Sequence, residues 1–431
     1  MMNEDWAALR LKQALQNGSE SPESLARRAL ACANGSASKN TYLWRDESWT
    51  LSEAVRVAGM AQDKRTPLWG LPVSVKDCFD LAGAPTTCGV KFYRDLNGLA
   101  GKDSWLVMKL RSLGAVITGK THLHPLAYGI TGENPEFGDC VQPGRPDRLT
   151  GGSSSGAAAS VLEGSAVAAI GTDTGGSVRA PAALCGLAGY RATLGRGDWT
   201  GAGHLAQSFD TMGWLFRDLE DAPLLGTVFA REFAAAPKQF ERFATIDPGF
   251  LSDCEPEIAT AMESVAAELE LLGLRRERFN ADFWAGSFEI FAPIQAWEAA
   301  RIHDGHFAEF EPAIRERLEW GARITDAELT LLRERHAEFR SRMDALFASH
   351  ELVLLPASPA AELRKGADHS QTRARLLRYT TPFSLAGVPV ITVPCSVGGM
   401  QLASARNQDE GLLELARMIG SRRNLTSSSR A

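Results

Sequence analysis

The stretch Gly151-Gly152-Ser153-Ser154-Ser155-Gly156 is followed, after an alanine-rich run and a short apolar segment, by Gly171-Thr172-Asp173-Thr174-Gly175-Gly176-Ser177-Val178-Arg179. The two clusters place Ser153 and Ser177 24 positions apart. A serine hydroxyl is a weak nucleophile at neutral pH, so a catalytic serine needs a base and a preformed anion site. The clusters supply hydroxyls and open backbone N–H groups, and the base must come from elsewhere in the chain.

Periodicity around the clusters predicts strands that alternate with helices. Residues 70–76 alternate as a strand does, which places Ser74 and Lys76 on one face. Further strands are predicted at 115–118, 166–170, 352–356 and 390–393, and a helix at 155–163. This alternation favours an α/β layered fold.

Helix starts are indicated by three local signals. Residues about 5 to 34 are predicted to be helical, with Ser21 and Pro22 as N-cap and first helical residue. Thr50 to Glu53 and Thr325 to Glu328 both match the capping box that opens a helix.

Composition restricts the class of protein. The 431 residues are 44% apolar and carry a net charge of −6, which argues against a dedicated nucleic-acid surface. The seven cysteines show no paired spacing, as expected for free thiols in a reducing compartment. No apolar run reaches the roughly 18 to 20 residues of a membrane span, and the acidic Met1 to Asp5 gives no sign of a secretory signal. We therefore expect a cytoplasmic protein, with residues 1–431 forming one domain.

Three literal motif matches are rejected. Residues 114–121 fit the P-loop pattern, but their variable positions form an apolar strand rather than an open phosphate cradle. Residues 152–156 fit the nucleophile elbow of α/β-hydrolases, but nothing strand-like precedes Gly151. His122 and His124 could be a metal pair, yet no third ligand stands at a telling spacing, so we expect no metal.

The base is sought at Lys76. Its strand carries Val73 and Val75 on the opposite face, so a lysine here is either near a sheet edge with its ammonium in water, or buried with a lowered pKa. Downstream, Gly175 and Gly176 either form a tight turn or expose the N–H groups of an oxyanion hole.

Two charged residues and one serine have simple structural explanations. Asp173 can brace the loop by accepting backbone hydrogen bonds, and Arg179 can pair with a carboxylate. Ser153 suits a helix N-cap. These elements are weak signals singly, and they become informative because they occur together.

Together these residues resemble the amidase signature family of Ser–cis-Ser–Lys hydrolases. The matching motifs are residues 70–77, 119–121, 151–156 and 171–181, the last continuing into 185–189. Clear resemblance covers a core of about residues 65–220. The chain is most similar to the small amidase and indole-3-acetamide hydrolase branch, and also to the A-type subunit of glutamyl-tRNA(Gln) amidotransferase.

The resemblance implies an α/β/α sandwich in which helices cover a large, mixed, twisted central sheet. It also implies that Ser177 is the nucleophile, Ser153 the bridging serine with a cis peptide bond to Gly152, and Lys76 the general base. The oxyanion hole would be formed by the backbone N–H groups of Thr174, Gly175, Gly176 and Ser177. The implied reaction is hydrolysis of a small carboxamide through an acyl-enzyme, without metal or organic cofactor.

Departures from the family pattern fall near the expected pocket wall. They are Ser155, where glycine is common, His122 and His124, and the segment Tyr190 to Thr193. Substrate contacts are expected at Gly129, Ile130 and Thr131. The acyl group, the leaving amine and the oligomeric state, including a homo-oligomer, stay open. So do two alternatives: an A-type subunit of a tRNA-dependent amidotransferase, and a non-catalytic scaffold that retains the fold.

Overall fold

The computed structural model describes residues 6–35, 40–60, 65–230 and 237–428. The first five residues, on which the expectation about a secretory signal rests, lie outside this part. No described helix has the length and apolar character needed to cross a membrane.

The described residues contain fourteen α-helices. They are α1 (Ala8–Gln16), α2 (Pro22–Gly35), α3 (Glu47–Ala58), α4 (Lys91–Asn97), α5 (Trp105–Ser112), α6 (Ser155–Glu163), α7 (Arg179–Cys185), α8 (Ala222–Gly226), α9 (Pro256–Leu271), α10 (Ser287–Ile302), α11 (Pro312–Arg323), α12 (Asp326–His350), α13 (Ser370–Ala386) and α14 (Asp409–Ser428).

Thirteen strands are found in the same ranges. They are β1 (Tyr42–Trp44), β2 (Pro72–Lys76), β3 (Val116–Thr121), β4 (Val141–Gln142), β5 (Arg145–Leu149), β6 (Ala168–Asp173), β7 (Ala188–Arg191), β8 (Thr211–Phe216), β9 (Arg242–Ile246), β10 (Arg275–Phe279), β11 (Leu352–Pro356), β12 (Val390–Pro394) and β13 (Gly399–Ser404).

Eleven of these strands form one mixed sheet in the order β1-β3-β2-β6-β8-β7-β12-β13-β11-β9-β10. Strand β2 is parallel to both β3 and β6, whereas β8 lies antiparallel to β6 and β7. Strand β6 therefore lies inside the sheet, with β2 on one side and β8 on the other. Because β2 and β6 are parallel neighbours, their carboxyl ends at Lys76 and Asp173 meet at the same edge.

Alternate residues of the strands face two different helical layers. Val73, Ile170 and Trp214 belong to a core shared with α2, α3, α9 and α14. On the opposite face, Ala169 and Leu215 pack against α6 and α7, while other strands pack against α10, α12 and α13. Helices thus cover both faces of the sheet, and the predicted α/β class with a helix-covered mixed sheet is confirmed.

Local predictions fared unevenly. The region predicted to be helical contains two helices, α1 and α2, and α2 begins at Pro22 as predicted. The capping box at Thr325 is present and opens α12.

The capping box predicted at Thr50 is wrong. Helix α3 begins at Glu47, because the Asp46 carboxylate accepts the Trp49 N–H and caps it earlier. The Thr50 hydroxyl contacts the carbonyl oxygens of Asp46 and Ile117 instead.

The contact between β7 and β8 leaves no room for a side chain at Gly213. An added Cβ would lie 2.1 Å from the Tyr190 carbonyl oxygen, a backbone atom that cannot move aside alone. We expect Gly213→Ala to lower the free energy of unfolding by about 1 to 3 kcal/mol, measured by urea denaturation. Gly249→Ala is the matched control, since a Cβ there meets no atom within 4 Å. Equal stability of the two variants would contradict this account of the sheet.

Candidate active site

The loop that follows β6 is folded around one carboxylate. Asp173 accepts the backbone N–H groups of Gly176 at 2.8 Å, Val178 at 3.1 Å and Arg179 at 3.3 Å. Each of these groups comes from the loop or from the first residue of α7. The carboxylate therefore fixes the path of the chain from Thr174 to Arg179.

Two buried guanidinium groups flank the same carboxylate. Arg179 and Arg191 each lie 2.9 Å from Asp173 Oδ1, and all three side chains are fully buried. Desolvation raises the pKa of Asp173, but the two arginines outweigh it and hold that pKa well below its usual range. Burial lowers the pKa of Arg191 to about 10 despite its carboxylate partner. The expected bracing roles of Asp173 and Arg179 agree with these contacts.

Lys76 ends β2 beside this loop and is completely buried. Its Nζ donates to Ser153 Oγ at 2.7 Å and to Thr172 Oγ1 at 2.8 Å. Within the described ranges no carboxylate forms an ion pair with it. Desolvation lowers its pKa to about 8, so a substantial fraction of the amine is neutral near neutral pH.

Both predicted serines border Lys76 or the loop. The peptide bond between Gly152 and Ser153 is cis, and the Ser153 carbonyl accepts the His124 N–H at 3.1 Å. The Ser177 carbonyl accepts the Ser154 N–H at 3.3 Å, which ties the two clusters together. Among the described residues no hydrogen bond joins the hydroxyls of Ser153 and Ser177. The hydrogen-bonded path from Lys76 therefore reaches Ser153 but not Ser177.

Three of the four predicted oxyanion donors are open. The N–H groups of Thr174, Gly175 and Ser177 make no hydrogen bond to any described residue. The Gly176 N–H donates to Asp173 instead, which corrects the prediction that all four groups face an oxyanion. Gly175 must lack a side chain here, because a Cβ would come within 2.9 Å of Phe291.

Ser177 borders a cavity of about 20 Å³, enough for about one water molecule. Gly129 and Ile130, two of the predicted substrate contacts, line it, whereas Thr131 does not and its hydroxyl donates to Glu133 at 2.8 Å. The remaining lining residues are Ala127, Tyr128, Thr174, Gly175, Leu205, Gln295, Arg373 and Leu377. A larger cavity of about 510 Å³ shares only Ala127 with this one and does not border Ser177.

His122 and Ser155, two departures from the family pattern, are partners. His122 Nδ1 lies 2.8 Å from Ser155 Oγ, and Nε2 lies 2.9 Å from the Gly138 carbonyl. A carbonyl only accepts, so Nε2 carries the proton and Nδ1 accepts from the serine. Burial lowers the pKa of His122 to about 4, which keeps the ring neutral. His122 thus holds α6 against the end of β3.

His124 is also buried but has no such partners. Neither ring nitrogen makes a hydrogen bond to a described residue. The ring packs so closely on Gly129 that a Cβ there would lie 2.1 Å from Nε2. Burial, followed by the charges of Arg317 and Arg373, lowers the pKa of His124 well below its usual value. The ring forms the wall behind Gly129.

The rejected motifs are explained by the structure. Lys120, the P-loop lysine, lies in the buried strand β3 and forms an ion pair of 2.7 Å with Asp77. Ser154, the elbow serine, is fully buried with its hydroxyl against the backbone of Thr172. The prediction that no strand precedes Gly151 is wrong, because β5 precedes it. However, β5 pairs with β4 in a separate two-stranded sheet and is not a strand of the central sheet.

Sequence reasoning missed several residues of the site. The sequence marked Arg191 only as part of a segment that departs from the family pattern. In the sheet, β7 pairs with β8 and β8 pairs with β6, and this order brings Arg191 to Asp173. Thr172 accepts a hydrogen bond from the Lys76 amine. It lies two positions before Thr174, so strand alternation could have identified it. Gln295 and Arg373 come from distant helices, and no local pattern marks them.

Comparisons with known proteins identify the family of the chain. A family model described as Amidase matches residues 28–413. The chain is 32% identical to an indoleacetamide hydrolase of Pseudomonas savastanoi, over 90% of this chain and 89% of the relative. It is 29% identical to the A-type subunit of the glutamyl-tRNA(Gln) amidotransferase of Akkermansia muciniphila, over 89% and 90% of the two chains. A crystal structure of an amidase superposes with a TM-score of 0.87 at 29% identity, covering 96% of this chain and 99% of the other.

The paired charges around Asp173 give a stability prediction. In Asp173→Asn the guanidinium groups of Arg179 and Arg191 lose their buried counter-ion, so we expect a loss of about 3 to 5 kcal/mol in the free energy of unfolding. Asp198→Asn is the control, because the exposed Asp198 is bonded only to Thr200 among the described residues. Urea denaturation measures the free energy of unfolding of both variants, and the m-value should stay unchanged. A loss below about 1 kcal/mol in Asp173→Asn would refute the bracing role.

Proposed function

The chain belongs to the amidase family, and on that premise we propose that it hydrolyses a small carboxamide to a carboxylate and ammonia or an amine. The proposal rests above all on the hydrogen bond of 2.7 Å between the buried Lys76 amine and the Ser153 hydroxyl. A lysine without a carboxylate partner, held against a serine beside open N–H groups, has the chemistry of a general base.

Acylation begins when neutral Lys76 accepts the proton of Ser153 while Ser153 accepts that of Ser177. Substrate binding closes the one link that the structure leaves open, between the two serine hydroxyls. Ser177 Oγ then forms a bond to the amide carbon, and the carbonyl oxygen gains the negative charge. The open N–H groups of Thr174, Gly175 and Ser177 stabilise this oxyanion.

Collapse of the tetrahedral intermediate breaks the C–N bond. Protonated Lys76 returns the proton through Ser153 to the leaving nitrogen, which departs as ammonia or an amine. Water then attacks the acyl-enzyme and gives a proton to the relay, and the ester bond to Ser177 breaks as the relay returns that proton to Ser177 Oγ. No step of this sequence calls for a metal or organic cofactor.

We extend the proposal to the whole chain as a single amidase domain, since the eleven-stranded sheet includes both β1, near the start of the chain, and β13, near its end. The alternative of an A-type amidotransferase subunit keeps support from the 29% identical relative. Turnover of free amides by the purified chain favours the hydrolase. Turnover only within a stable heteromer with charged tRNA would favour the amidotransferase role.

Covalent labelling tests the nucleophile. A fluorophosphonate probe should modify the wild-type protein at Ser177 and leave Ser177→Ala unlabelled, because the probe needs an activated serine. Ser154→Ala is the matched control and should label as the wild type does, since Ser154 Oγ is occupied by the Thr172 backbone. Labelling that persists in Ser177→Ala would exclude Ser177 as the nucleophile.

The pH dependence tests the base. Because the neutral form of Lys76 accepts the proton and its pKa is about 8, kcat/KM should fall tenfold per unit below pH 8 and level off above it. Lys76→Met should lower kcat/KM by about 10²- to 10⁴-fold. The exposed Lys102→Met should leave kcat/KM unchanged. A pH profile that is flat from pH 6 to 9 would remove Lys76 from the proton relay.

A further inference from the structure

The cavity beside Ser177 has polar walls that the reaction sequence above does not use. Thr174, Gly175 and Ser177 line the cavity and form its reacting part. Tyr128, Gln295 from α10 and Arg373 from α13 line it as well. These three side chains come from separate parts of the chain and meet at this cavity.

None of the three has its polar group satisfied within the described structure. The Tyr128 hydroxyl, the Gln295 amide and the Arg373 guanidinium make no hydrogen bond to any described residue. Of these groups, only Arg373 Nε is an atom buried from solvent within the described structure. A buried donor without a partner lowers stability, and unpaired polar groups around one cavity are typical of a site that binds a ligand.

The charge of the cavity identifies the kind of ligand. No carboxylate in the described part of the chain pairs with Arg373, and burial lowers its pKa to about 10, with nearby Arg317 contributing in the same direction. Arg317 itself donates to the Tyr128 carbonyl and lies 4.9 Å from the centre of the Tyr128 ring. Two cations thus lie near one small space, and an anion placed there relieves their repulsion.

The absence of acidic lining residues indicates which kind of ligand the cavity disfavours. No acidic residue is found among the described residues that line the cavity, and Leu205 and Leu377 are among its apolar lining residues. An ammonium group on the substrate would therefore meet cations and leucines. The walls suit an anion and disfavour a zwitterion.

We propose that Arg373 binds a carboxylate of the substrate, and that the substrates are short monoamides of dicarboxylic acids without an α-amino group. This inference rests on the proposed function. The planar guanidinium matches a carboxylate in a bidentate pair, and Gln295 and Tyr128 donate to its remaining lone pairs. Arg373 and Ser177 border the same cavity of about 20 Å³, so its walls move apart when a monoamide enters, and a short substrate spans the two residues.

Three matched amides test the charge preference. Succinamate carries the carboxylate, 4-methylpentanamide replaces it by an isopropyl group of the same shape, and L-asparagine adds the α-ammonium. Wild-type kcat/KM should be highest for succinamate and at least about tenfold lower for the other two. Equal kcat/KM for succinamate and 4-methylpentanamide would overturn the inference.

Variants assign the preference to Arg373. Arg373→Met should lower kcat/KM for succinamate about 10- to 100-fold, mainly through KM, and change that for 4-methylpentanamide less than about threefold. Arg373→Lys should recover part of the loss, since the charge remains without the planar fork. Arg375→Met is the control on the same helix, because Arg375 contacts Asp253 instead. Equal losses for both amides would show that Arg373 only supports the fold.

A binding readout separates this inference from the proposed function. Succinamate should slow fluorophosphonate labelling of Ser177 in the wild type and not in Arg373→Met. Labelling without protection by succinamate would overturn the carboxylate site while leaving the nucleophile intact. Absence of labelling in the wild type would overturn the proposed function, and the inference with it.

Discussion

The carboxylate of Asp173 is the contact on which the site depends. It lies at the end of β6, inside the sheet, and receives N–H groups from the loop and guanidinium groups from α7 and β7. Carboxylates are seldom buried without pairing, because desolvation penalises the charge. Here two cations pair with it, so the group remains ionised and can hold several donors at once. The loop therefore has one path, and three of its N–H groups are left to face the cavity.

The two buried lysines of adjacent strands show how a counter-ion decides chemistry. Lys120 lies in β3 and Lys76 in β2, and both are fully buried. Lys120 forms an ion pair of 2.7 Å with Asp77, which holds the two side chains together inside the sheet. Among the described residues the Lys76 amine has only hydroxyl partners, and burial lowers its pKa to about 8. The two buried lysines thus differ in their partners, since of the two only Lys120 has a carboxylate at ion-pair distance in the described part of the chain.

The sequence was sufficient for the fold and for the centre of the site because those features are local. Apolar periodicity predicted five of the thirteen described strands, β2, β3, β6, β11 and β12, and the two serine–glycine clusters marked the loop around Ser177 and the turn at Ser153. Contacts that depend on the order of strands in the sheet could not be predicted from local patterns. The contact of Arg191 with Asp173 is of this kind and was therefore missed. The Gly176 N–H was misassigned for a related reason, since a sequence shows that a donor is unobstructed but not where it points.

Two cations beside the reaction centre lack the carboxylate partners that other buried cations of this protein have. Arg179, Arg191 and Lys120 all have carboxylate partners, and all lie where they brace the sheet or the loop. Lys76 and Arg373 have none among the described residues, and both adjoin the serines. Folding alone gives no reason to leave these two unmatched, because unpaired buried charge lowers stability. Their cost is explained if each is matched during turnover, Lys76 by a proton in transit and Arg373 by an anionic group of the substrate.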